Sequence, residues 1–144
     1  MNEKWQERTR LLAGEKTLER YANAHVLVVG LGGVGAYAAE QLCRAGIGEM
    51  TIVDADNVDI TNINRQLLAT TESIGTSKVS VMAQRLRSIN PDIRLHEVHE
   101  FLRDEGTIRL LESTKFDYVV DAIDTLSPKV FLIYFTMKMN IPLV

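Results

Sequence analysis

The stretch AHVLVVGLGGVGAYAAEQLCR, residues 24–44, predicts a β-strand, a tight glycine turn and a helix, in that order. Residues 26–29 are apolar without alternation, which is typical of a strand covered on both faces in a parallel sheet. The turn at residues 30–35 fits the pattern G-x-G-x-x-G, whose glycines permit a sharp turn, close approach of a phosphate and tight packing of helix on strand. Because such a helix presents free N–H groups and a positive dipole end to an anion, this context predicts a nucleotide-binding site.

A second strand is predicted over residues 50–54, with Asp54 at its C-terminal end. An acid about 20 residues beyond a glycine turn can bind the ribose hydroxyls of a nucleotide. Two alternatives stay open: the glycines serve only the turn, or Asp54 is only a turn or cap residue. The order of elements predicts a Rossmann-like α/β fold, doubly wound, with a mainly parallel sheet and helices on both faces.

The composition favours one compact domain. The chain has 144 residues, of which 46% are hydrophobic and 24% charged, and this is enough to form a core. No stretch approaches the roughly 18 unbroken apolar residues of a membrane span. Residues 1–7 are too polar to begin a secretory signal. We therefore expect no membrane partner.

The cysteine content bears on the cellular location, and the net charge bears on nucleic-acid binding. The single Cys43 permits no intrachain disulfide, which favours a reducing, cytoplasmic location. We expect it to be a small packed residue rather than a nucleophile. The net charge of −3 argues mildly against a domain that holds nucleic acid by itself.

Two parts are predicted along the chain: a helical arm over residues 1–23 and a nucleotide-binding Rossmann-like domain over residues 24–144. The arm contains an amphipathic helical pattern over residues 5–21. Its side chains expected to be buried are Leu11, Leu12, Leu18 and Tyr21. At the other end, residues 140–144 are typical of the opening of an apolar strand. We expect the sequence to be a fragment whose continuation carries part of the substrate site.

A polar loop at residues 55–71 separates this chain from an ordinary dehydrogenase. The next helix is predicted to begin with Thr76 or Ser77 as its N-cap, which places Lys78 in the first turn. A cation there is unfavourable for the helix dipole, so its presence indicates a function. Arg65, as a planar fork, and Lys78, as a point charge, are predicted to bind the phosphates of a triphosphate. The alternative is that both are solvated surface residues.

Two acidic residues follow the predicted strand at residues 118–121. The carboxyl ends of parallel strands face the ligand crevice, so Asp121 and Asp124 are placed to meet a phosphate-bound Mg²⁺ or a ribose. Alternatively, they only cap the helix that Ser127 and Pro128 open. His96 and His99 have a spacing sometimes seen in metal sites. We do not expect them to form one, because they straddle the end of a predicted strand at residues 93–98 and have no cysteine nearby.

These segments together resemble the HesA/MoeB/ThiF family of the ubiquitin-activating-enzyme superfamily. The matching segments are GLGGVG at residues 30–35, IVDADNVDITNINRQ at residues 52–66, residues 75–78 and DAID at residues 121–124. Members of this family adenylate a carboxylate with Mg-ATP, and most are homodimers. Within the family, residues 8–18, 89–95 and 121–129 are most similar to enzymes that dehydrate threonylcarbamoyladenosine in tRNA. Activators of sulfur carriers more often have D-C-T-D-N where this chain has DAIDT.

The resemblance implies an ATP site and a Mg²⁺ site. The implied ATP-binding residues are Gly30, Gly32, Gly33, Gly35, Asp54, Asp56, Asn62, Arg65, Gln66, Lys78 and Asp124. Within this set, Asp54 would hold the ribose. Arg65 and Lys78 would contact the phosphates, and Asp124 would help to hold Mg²⁺.

A further implied catalytic residue is Arg8, which would reach the ATP of the partner subunit in a homodimer. Arg10 is the alternative, because the match near the N-terminus is loose. The implied catalytic set is therefore Arg8, Arg65, Lys78 and Asp124.

The function expected from the resemblance is ATP-dependent adenylation of threonylcarbamoyladenosine in tRNA, followed by ring closure and release of AMP. One alternative is adenylation of the C-terminal glycine of a ubiquitin-like sulfur carrier, with a sulfur-transfer partner protein. A second is a nucleotide- or NAD-binding module without adenylation. A C-x-x-C pair or a catalytic cysteine beyond Val144 would favour the sulfur carrier.

Overall fold

The computed structural model describes residues 3–144 and shows a parallel sheet flanked by helices. The strands are β1 (His25–Val29), β2 (Glu49–Val53), β3 (Arg94–Val98) and β4 (Tyr118–Asp121). They pair in the order β3-β2-β1-β4, and every neighbouring pair is parallel. Residues 1 and 2, with which the predicted arm and the polar N-terminal segment begin, lie outside the described residues.

Helices cover both faces of the sheet. They are α1 (Glu7–Ala13), α2 (Glu15–Asn23), α3 (Gly35–Ala45), α4 (Lys78–Ile89), α5 (Asp104–Ser113) and α6 (Leu126–Lys138). The buried residues of α3 and α4, such as Ala39 and Met82, belong to the core on one face. Those of α5 and α6, such as Leu111 and Leu132, belong to the core on the other face. The predicted doubly wound α/β fold with a parallel sheet is confirmed.

The strand β1 lies between these two cores. Leu27 and Val28 are both 0% exposed. Because successive side chains of a strand point to opposite faces, Val28 packs under α3 and α4, whereas Leu27 packs under α5 and α6. With both faces covered, residues 26–29 have no solvent-facing position, and this explains the lack of polar alternation. The prediction of a strand covered on both faces is confirmed.

The N-terminal helical region is present, but its predicted burial is wrong at two positions. Leu11 and Leu12 are 78% and 90% exposed. The helix breaks at Gly14, where φ is +82°, so α1 does not continue along the buried face of α2. Leu18 of α2 is buried, and Tyr21 packs partly against the core, as expected. The described residues of α1 therefore bury no side chain of their own.

Element boundaries differ from the predicted ones by a few residues. β2 ends at Val53, one residue earlier than predicted, so Asp54 lies in the turn after the strand. Leu143 forms a parallel bridge with Val119 of β4, which supports the predicted strand opening at residues 140–144. Within residues 3–144, no helix is long and apolar enough to cross a membrane.

Cys43 is a packed residue of α3, as predicted. Its side chain is fully buried in the core beside Leu86, and the thiol donates to the Leu86 carbonyl oxygen at 3.5 Å. Burial raises the pKa of the Cys43 thiol to about 11. Because the thiolate is the nucleophilic form, this environment disfavours a reactive role.

Candidate nucleotide-binding site

A cavity of about 280 Å³ opens at the carboxyl ends of β1, β2 and β4. From β1 the chain proceeds through α3 to β2 on one side, whereas β4 lies on the other side of β1. This is the point in a doubly wound sheet where ligands bind, because the connecting segments diverge there and leave a crevice. Its wall includes Gly30 and Gly32 of the glycine turn, Asp54 and Asp56 after β2, and Asp124 after β4.

Two glycines of the turn are required by the chain itself. Gly30 has φ of +94°, and a Cβ at this position would lie 2.6 Å from the carbonyl oxygen of Ala122. At Gly35, a Cβ would overlap the carbonyl oxygen of Gly30. The first turn of α3 therefore lies directly against the end of β1. Gly35 is buried and does not line the cavity.

Gly32 and Gly33 are different. A Cβ at Gly32 would meet nothing nearer than Gln66 Nε2 at 3.7 Å, and one at Gly33 nothing nearer than Arg65 Cγ at 3.6 Å. These are ordinary van der Waals distances, so the packing of the chain does not explain the absence of side chains. Gly32 lines the cavity, where a missing side chain gives a ligand access to the backbone.

The carboxylate of Asp54 supports the glycine turn. Its Oδ2 accepts a hydrogen bond from the Leu31 N–H at 2.7 Å, and its Oδ1 accepts one from the Asp56 N–H at 2.8 Å. Asp54 therefore does serve as a turn residue, which was the alternative to a role in ligand binding. Because a carboxylate has about four acceptor positions, these two bonds leave capacity for a ribose hydroxyl. Its ribose contact stays a prediction.

Lys78 lies in the wall of the cavity and is only 5% exposed. Ser77 is the N-cap of α4, and its side chain accepts a hydrogen bond from the Ser80 N–H at 3.3 Å. Of the two predicted candidates, Thr76 and Ser77, the structure thus selects Ser77. The Lys78 backbone N–H donates to the Asp56 carbonyl at 3.0 Å. The Lys78 ammonium lies 3.4 Å from the Asp56 carboxylate, whose side chain is 72% exposed. The solvated-surface alternative is therefore wrong for Lys78.

The position of Lys78 has an electrostatic consequence. Removing an ammonium from water costs several kcal/mol unless good partners replace the water, and an ion pair at 3.4 Å with an exposed carboxylate is a long contact. An anion that enters the cavity would supply the missing charge. The site is thus suited to a phosphate.

Gln66 contributes a second incompletely satisfied group. Its side chain is buried in the cavity wall, and its Oε1 accepts no hydrogen bond within the described part of the chain. Leaving a buried acceptor without a donor costs about 1–3 kcal/mol. A ligand hydroxyl or N–H in the cavity would remove this cost.

Asn62 and Arg65 lie beside the cavity rather than in its wall. Asn62 Oδ1 accepts from the Asp59 N–H at 3.0 Å and so closes the short 3-10 turn Ile60–Asn62. Arg65 is exposed, and its Nη1 donates to Thr61 O at 3.1 Å and to Asn64 Oδ1 at 2.8 Å. Arg65 thus lies outside the cavity wall, with the stem of its side chain beside Gly33.

The two acids after β4 have different surroundings, although the sequence presented them as equivalent. Asp121 Oδ2 accepts from Lys129 Nζ at 2.6 Å, and Oδ1 accepts from the Ile123 N–H at 3.0 Å. Its side chain is only 5% exposed. Asp124 is exposed and lines the cavity, where its carboxylate accepts only a 3.5 Å hydrogen bond from Thr125 Oγ1 among the described residues. Asp124 is thus the carboxylate available to a cation.

Sequence reasoning missed the apolar part of the cavity wall. Phe101 and Leu102 follow β3, and Pro128 lies in α6. Phe101 is 53% exposed, and the Arg103 guanidinium lies 5.3 Å from its ring centre. A large apolar side chain just after a strand end was the available signal. These residues give the cavity an apolar surface in addition to the polar groups of the glycine turn.

Three residues considered in the sequence do not enter this cavity. Arg8 is exposed on α1 and is absent from the cavity wall. His99 Nε2 is hydrogen-bonded to the Ala55 carbonyl oxygen at 2.9 Å, whereas His96 Nε2 is hydrogen-bonded to Glu49 Oε1 at 2.8 Å. The two histidines therefore have different partners, and the structure does not bring them together as a pair.

Comparison with known proteins identifies the relatives of this arrangement. The model of the ThiF family matches residues 6–144. The tRNA threonylcarbamoyladenosine dehydratase of Escherichia coli (strain K12) is 44% identical over 147 aligned positions, which cover 100% of this chain and 54% of the relative. The chain thus spans about half the length of the curated relatives it matches.

Solved structures agree with this match. The crystal structure of the E. coli tRNA N6-threonylcarbamoyladenosine dehydratase in complex with ATP has a TM-score of 0.94 and 43% identity, covering 98% of this chain and 58% of that one. A more distant relative, the sulfur carrier protein ThiS adenylyltransferase of E. coli (strain K12), is 34% identical over 126 positions. They cover 88% of this chain and 49% of that relative.

Two alanine substitutions should separate the structural glycine from the ligand-facing one. Gly35→Ala forces a Cβ onto the Gly30 carbonyl, so we expect the free energy of unfolding to fall by about 1–3 kcal/mol or more. Gly32→Ala meets no close neighbour but places a methyl group in the cavity wall. We expect its melting temperature to be unchanged and its affinity for ATP to fall by about tenfold or more, equivalent to about 1.4 kcal/mol. Calorimetric ATP titration and thermal melting measure both effects, and unchanged ATP binding in Gly32→Ala would contradict the assignment.

Proposed function

Because this chain belongs to the ThiF family, we propose that its cavity binds ATP and that the full-length protein adenylates the carboxylate of threonylcarbamoyladenosine in tRNA. The observation that carries the proposal is the buried Lys78 ammonium in the wall of a cavity beneath the glycine turn. A polyanion is the ligand that compensates its burial. We further propose that the reaction takes place in the cytoplasm and that the active form is a homodimer.

The residues present fit ATP. Gly32 leaves backbone accessible in the cavity wall, and α3 begins directly after this turn, where the positive dipole end of a helix favours an anion. Lys78 supplies a positive charge in the cavity, and Arg65 supplies one beyond Gly33. The apolar wall at Phe101 and Leu102 suits a nucleobase. In this arrangement Asp54 and Gln66 bind the polar part of the nucleoside.

The residues also fit a magnesium ion. Asp124 presents an exposed carboxylate in the cavity wall, and carboxylate oxygens together with phosphate oxygens are the ligands that Mg²⁺ prefers. The bound ion would reduce the negative charge of the phosphates. Asp121 is not proposed as a ligand, because Lys129 and the Ile123 N–H occupy its carboxylate.

Adenylation requires two anions to approach each other. A carboxylate oxygen forms a bond with the α-phosphorus of ATP, the bond from this phosphorus to the bridging oxygen of the β-phosphate breaks, and pyrophosphate leaves. Lys78 and Arg65 reduce the repulsion between the anions and the charge on the leaving group. Losing one such electrostatic contact typically costs about 3–4 kcal/mol of barrier. Holding the reacting atoms in line contributes roughly 7–11 kcal/mol.

The adenylate then undergoes an internal reaction. An atom of the same modified group attacks the activated carbonyl, a ring closes, and AMP leaves with the oxygen that the carboxylate provided. The overall change in the nucleoside is loss of water. The chain spans about half the length of its curated relatives, and we propose that residues outside this span hold this part of the substrate.

A second function is supported by the relative that adenylates a sulfur carrier. The chemistry at the α-phosphorus is the same, and only the source of the carboxylate differs. The segment DAIDT at residues 121–125 favours tRNA, since sulfur-carrier activators more often have D-C-T-D-N there. The two functions therefore differ in the substrate rather than in the ATP site.

The first expected result is that the full-length protein converts ATP to AMP and pyrophosphate only when a carboxylate substrate is present. The reason is that the carboxylate is the nucleophile at the α-phosphorus. The measurement is chromatography of radiolabelled ATP with tRNA that contains threonylcarbamoyladenosine, with the same tRNA lacking the modification, and with a sulfur carrier ending in Gly-Gly. Formation of ADP would overturn adenylation. AMP formed only with the carrier would transfer the function to sulfur activation, and binding of NAD without AMP formation would favour a non-adenylating module.

Asp124→Ala should lower the adenylation rate, whereas Asp121→Ala should lower the stability of the fold. Without the Asp124 carboxylate, the adenylation rate should fall by about 10²–10³, because charge in the transition state is no longer balanced, while the melting temperature stays nearly unchanged. Asp121→Ala leaves Lys129 and the Ile123 N–H without their acceptor and should lower the free energy of unfolding by about 1–3 kcal/mol. Near-normal turnover in Asp124→Ala would exclude Asp124 as a functional ligand of the cation, and the structure does not make it a helix cap either, because Thr125 is the N-cap of α6.

Arg8 should act on the ATP of the partner subunit. It is exposed on α1, a helix none of whose own residues is buried, and it lies outside the cavity wall. Arg8→Ala and Lys78→Ala should each be inactive. After subunit exchange in an equal mixture, half of the dimers contain one intact site and one site that lacks both groups, so about a quarter of the normal activity should return.

The control for this experiment is Arg10→Ala mixed with Lys78→Ala. Arg10 is the alternative trans residue, and its side chain pairs with Glu15 at 2.7 Å. If Arg8 acts within its own chain, every site in the Arg8 mixture lacks one group, and no activity returns. If Arg8 is the trans residue, Arg10→Ala should be active alone, and its mixture with Lys78→Ala should keep about half of the normal activity. An inactive Arg10→Ala whose mixture with Lys78→Ala regains about a quarter of the activity would transfer the role to Arg10.

A further inference from the structure

A second cluster of ligand-type side chains lies at the amino ends of the strands, at the opposite end of the sheet from the cavity. His25 is the first residue of β1, Glu49 is the first residue of β2, and His96 lies within β3. The register pairs His25 with Glu49 and Thr51 with His96. Because alternate residues of a strand share a face, these side chains project from the same face of the sheet.

The ligand atoms converge. His96 Nε2 lies 2.8 Å from Glu49 Oε1, and His25 Nδ1 lies 3.7 Å from the same oxygen. All three ligand atoms lie within 4.8 Å of one another. Ligand atoms about 2.0–2.2 Å from a tetrahedral zinc ion lie roughly 3.3–3.6 Å apart, so shifts of about 1 Å would bring these three atoms into range. Little side-chain movement is therefore needed to bind a metal.

The surroundings of His25 orient its ring. It is 5% exposed, its Nε2 lies 2.8 Å from Thr51 Oγ1, and the Phe116 ring centre lies 4.6 Å from its own. When Nε2–H donates to the Thr51 hydroxyl, Nδ1 carries the free lone pair and faces Glu49. Metal-binding histidines usually have such a partner on the second nitrogen, because it fixes the tautomer and the ring orientation.

Glu49 is also held by a neighbour. Its Oε2 accepts from Arg94 Nη2 at 3.0 Å and from Arg94 Nε at 3.3 Å. The two carboxylate oxygens are thus divided, with Oε2 toward Arg94 and Oε1 toward both histidines. The Arg94 guanidinium fixes the carboxylate while leaving Oε1 available to a metal.

We propose that His25, Glu49 and His96 form a binding site for a divalent transition-metal ion, with Zn²⁺ as the ion that fits this ligand set. Two imidazoles and one carboxylate are a common zinc set, and water completes the fourth position. Imidazole ligands disfavour Mg²⁺ and Ca²⁺, which prefer oxygen. The site joins β1, β2 and β3 at their amino ends and is separate from the proposed ATP chemistry at the carboxyl ends.

Zinc binding to the metal-free full-length protein tests this proposal. The protein is titrated with ZnCl₂ in competition with a chromophoric chelator, and melting temperatures are measured with and without the ion. We compare the wild type with His96→Gln, because His96 is exposed and its replacement leaves the buried His25 in place. The matched control is His99→Gln, since His99 is bonded to the Ala55 carbonyl near the opposite end of the sheet.

The wild type should bind one more zinc equivalent per chain than His96→Gln, or bind it at least about tenfold more tightly. His99→Gln should match the wild type. Zinc should raise the melting temperature of the wild type and of His99→Gln more than that of His96→Gln. Equal zinc binding by the wild type and His96→Gln would overturn the proposal and leave the cluster as an ion pair with hydrogen bonds. An equal loss in His99→Gln and His96→Gln would show adventitious binding to surface histidines and would also overturn it.

Discussion

No side chain fits between Gly35 and the carbonyl oxygen of Gly30, and this close approach sets the geometry of the whole ligand end. It places the first turn of α3 directly against the end of β1. The residues between the two glycines form the loop that leads into α3, and Gly32 of this loop lines the crevice. Gly30 has a similar restriction from the Ala122 carbonyl after β4. The glycine turn is thus held in place by the end of β1 and by the residue that follows β4.

The segment after β2 connects the glycine turn to Lys78 through hydrogen bonds. Asp54 binds the glycine turn through Leu31, and it also orders its own turn through Asp56. Asp56 then receives the backbone N–H of Lys78 and contacts the ammonium. The Asp54 carboxylate thus supports the turns around the crevice, and among the described residues the buried Lys78 ammonium has one long contact, with Asp56. An anionic ligand completes this arrangement, since a buried ammonium with incomplete pairing raises the energy of the free protein.

The two ends of the sheet have different chemistry for a topological reason. At the carboxyl ends, connections diverge and leave loops that carry Gly32, Lys78 and Asp124. At the amino ends, neighbouring strands start in register, so His25 and Glu49 become direct neighbours. Residues far apart in the chain meet there without any loop to place them. This is why a histidine and a carboxylate that carry no motif lie within ligand distance of each other.

The fold class, the order of elements and the location of the crevice could be predicted from the sequence, because they follow from local patterns. The apolar residues 26–29 require cover on both faces, and the glycine spacing requires a strand-turn-helix unit. The sequence left the N-cap of α4 open between Thr76 and Ser77, and the structure shows that it is Ser77. The tertiary structure decided what depends on residues distant in sequence. It separated Asp121, neutralised by Lys129, from the exposed Asp124, and it buried Lys78. It left Leu11 and Leu12 exposed, because the break at Gly14 turns α1 away from the buried face of α2. It also joined His96 to His25 and Glu49 rather than to His99, since strand register, not spacing along the chain, sets which side chains meet.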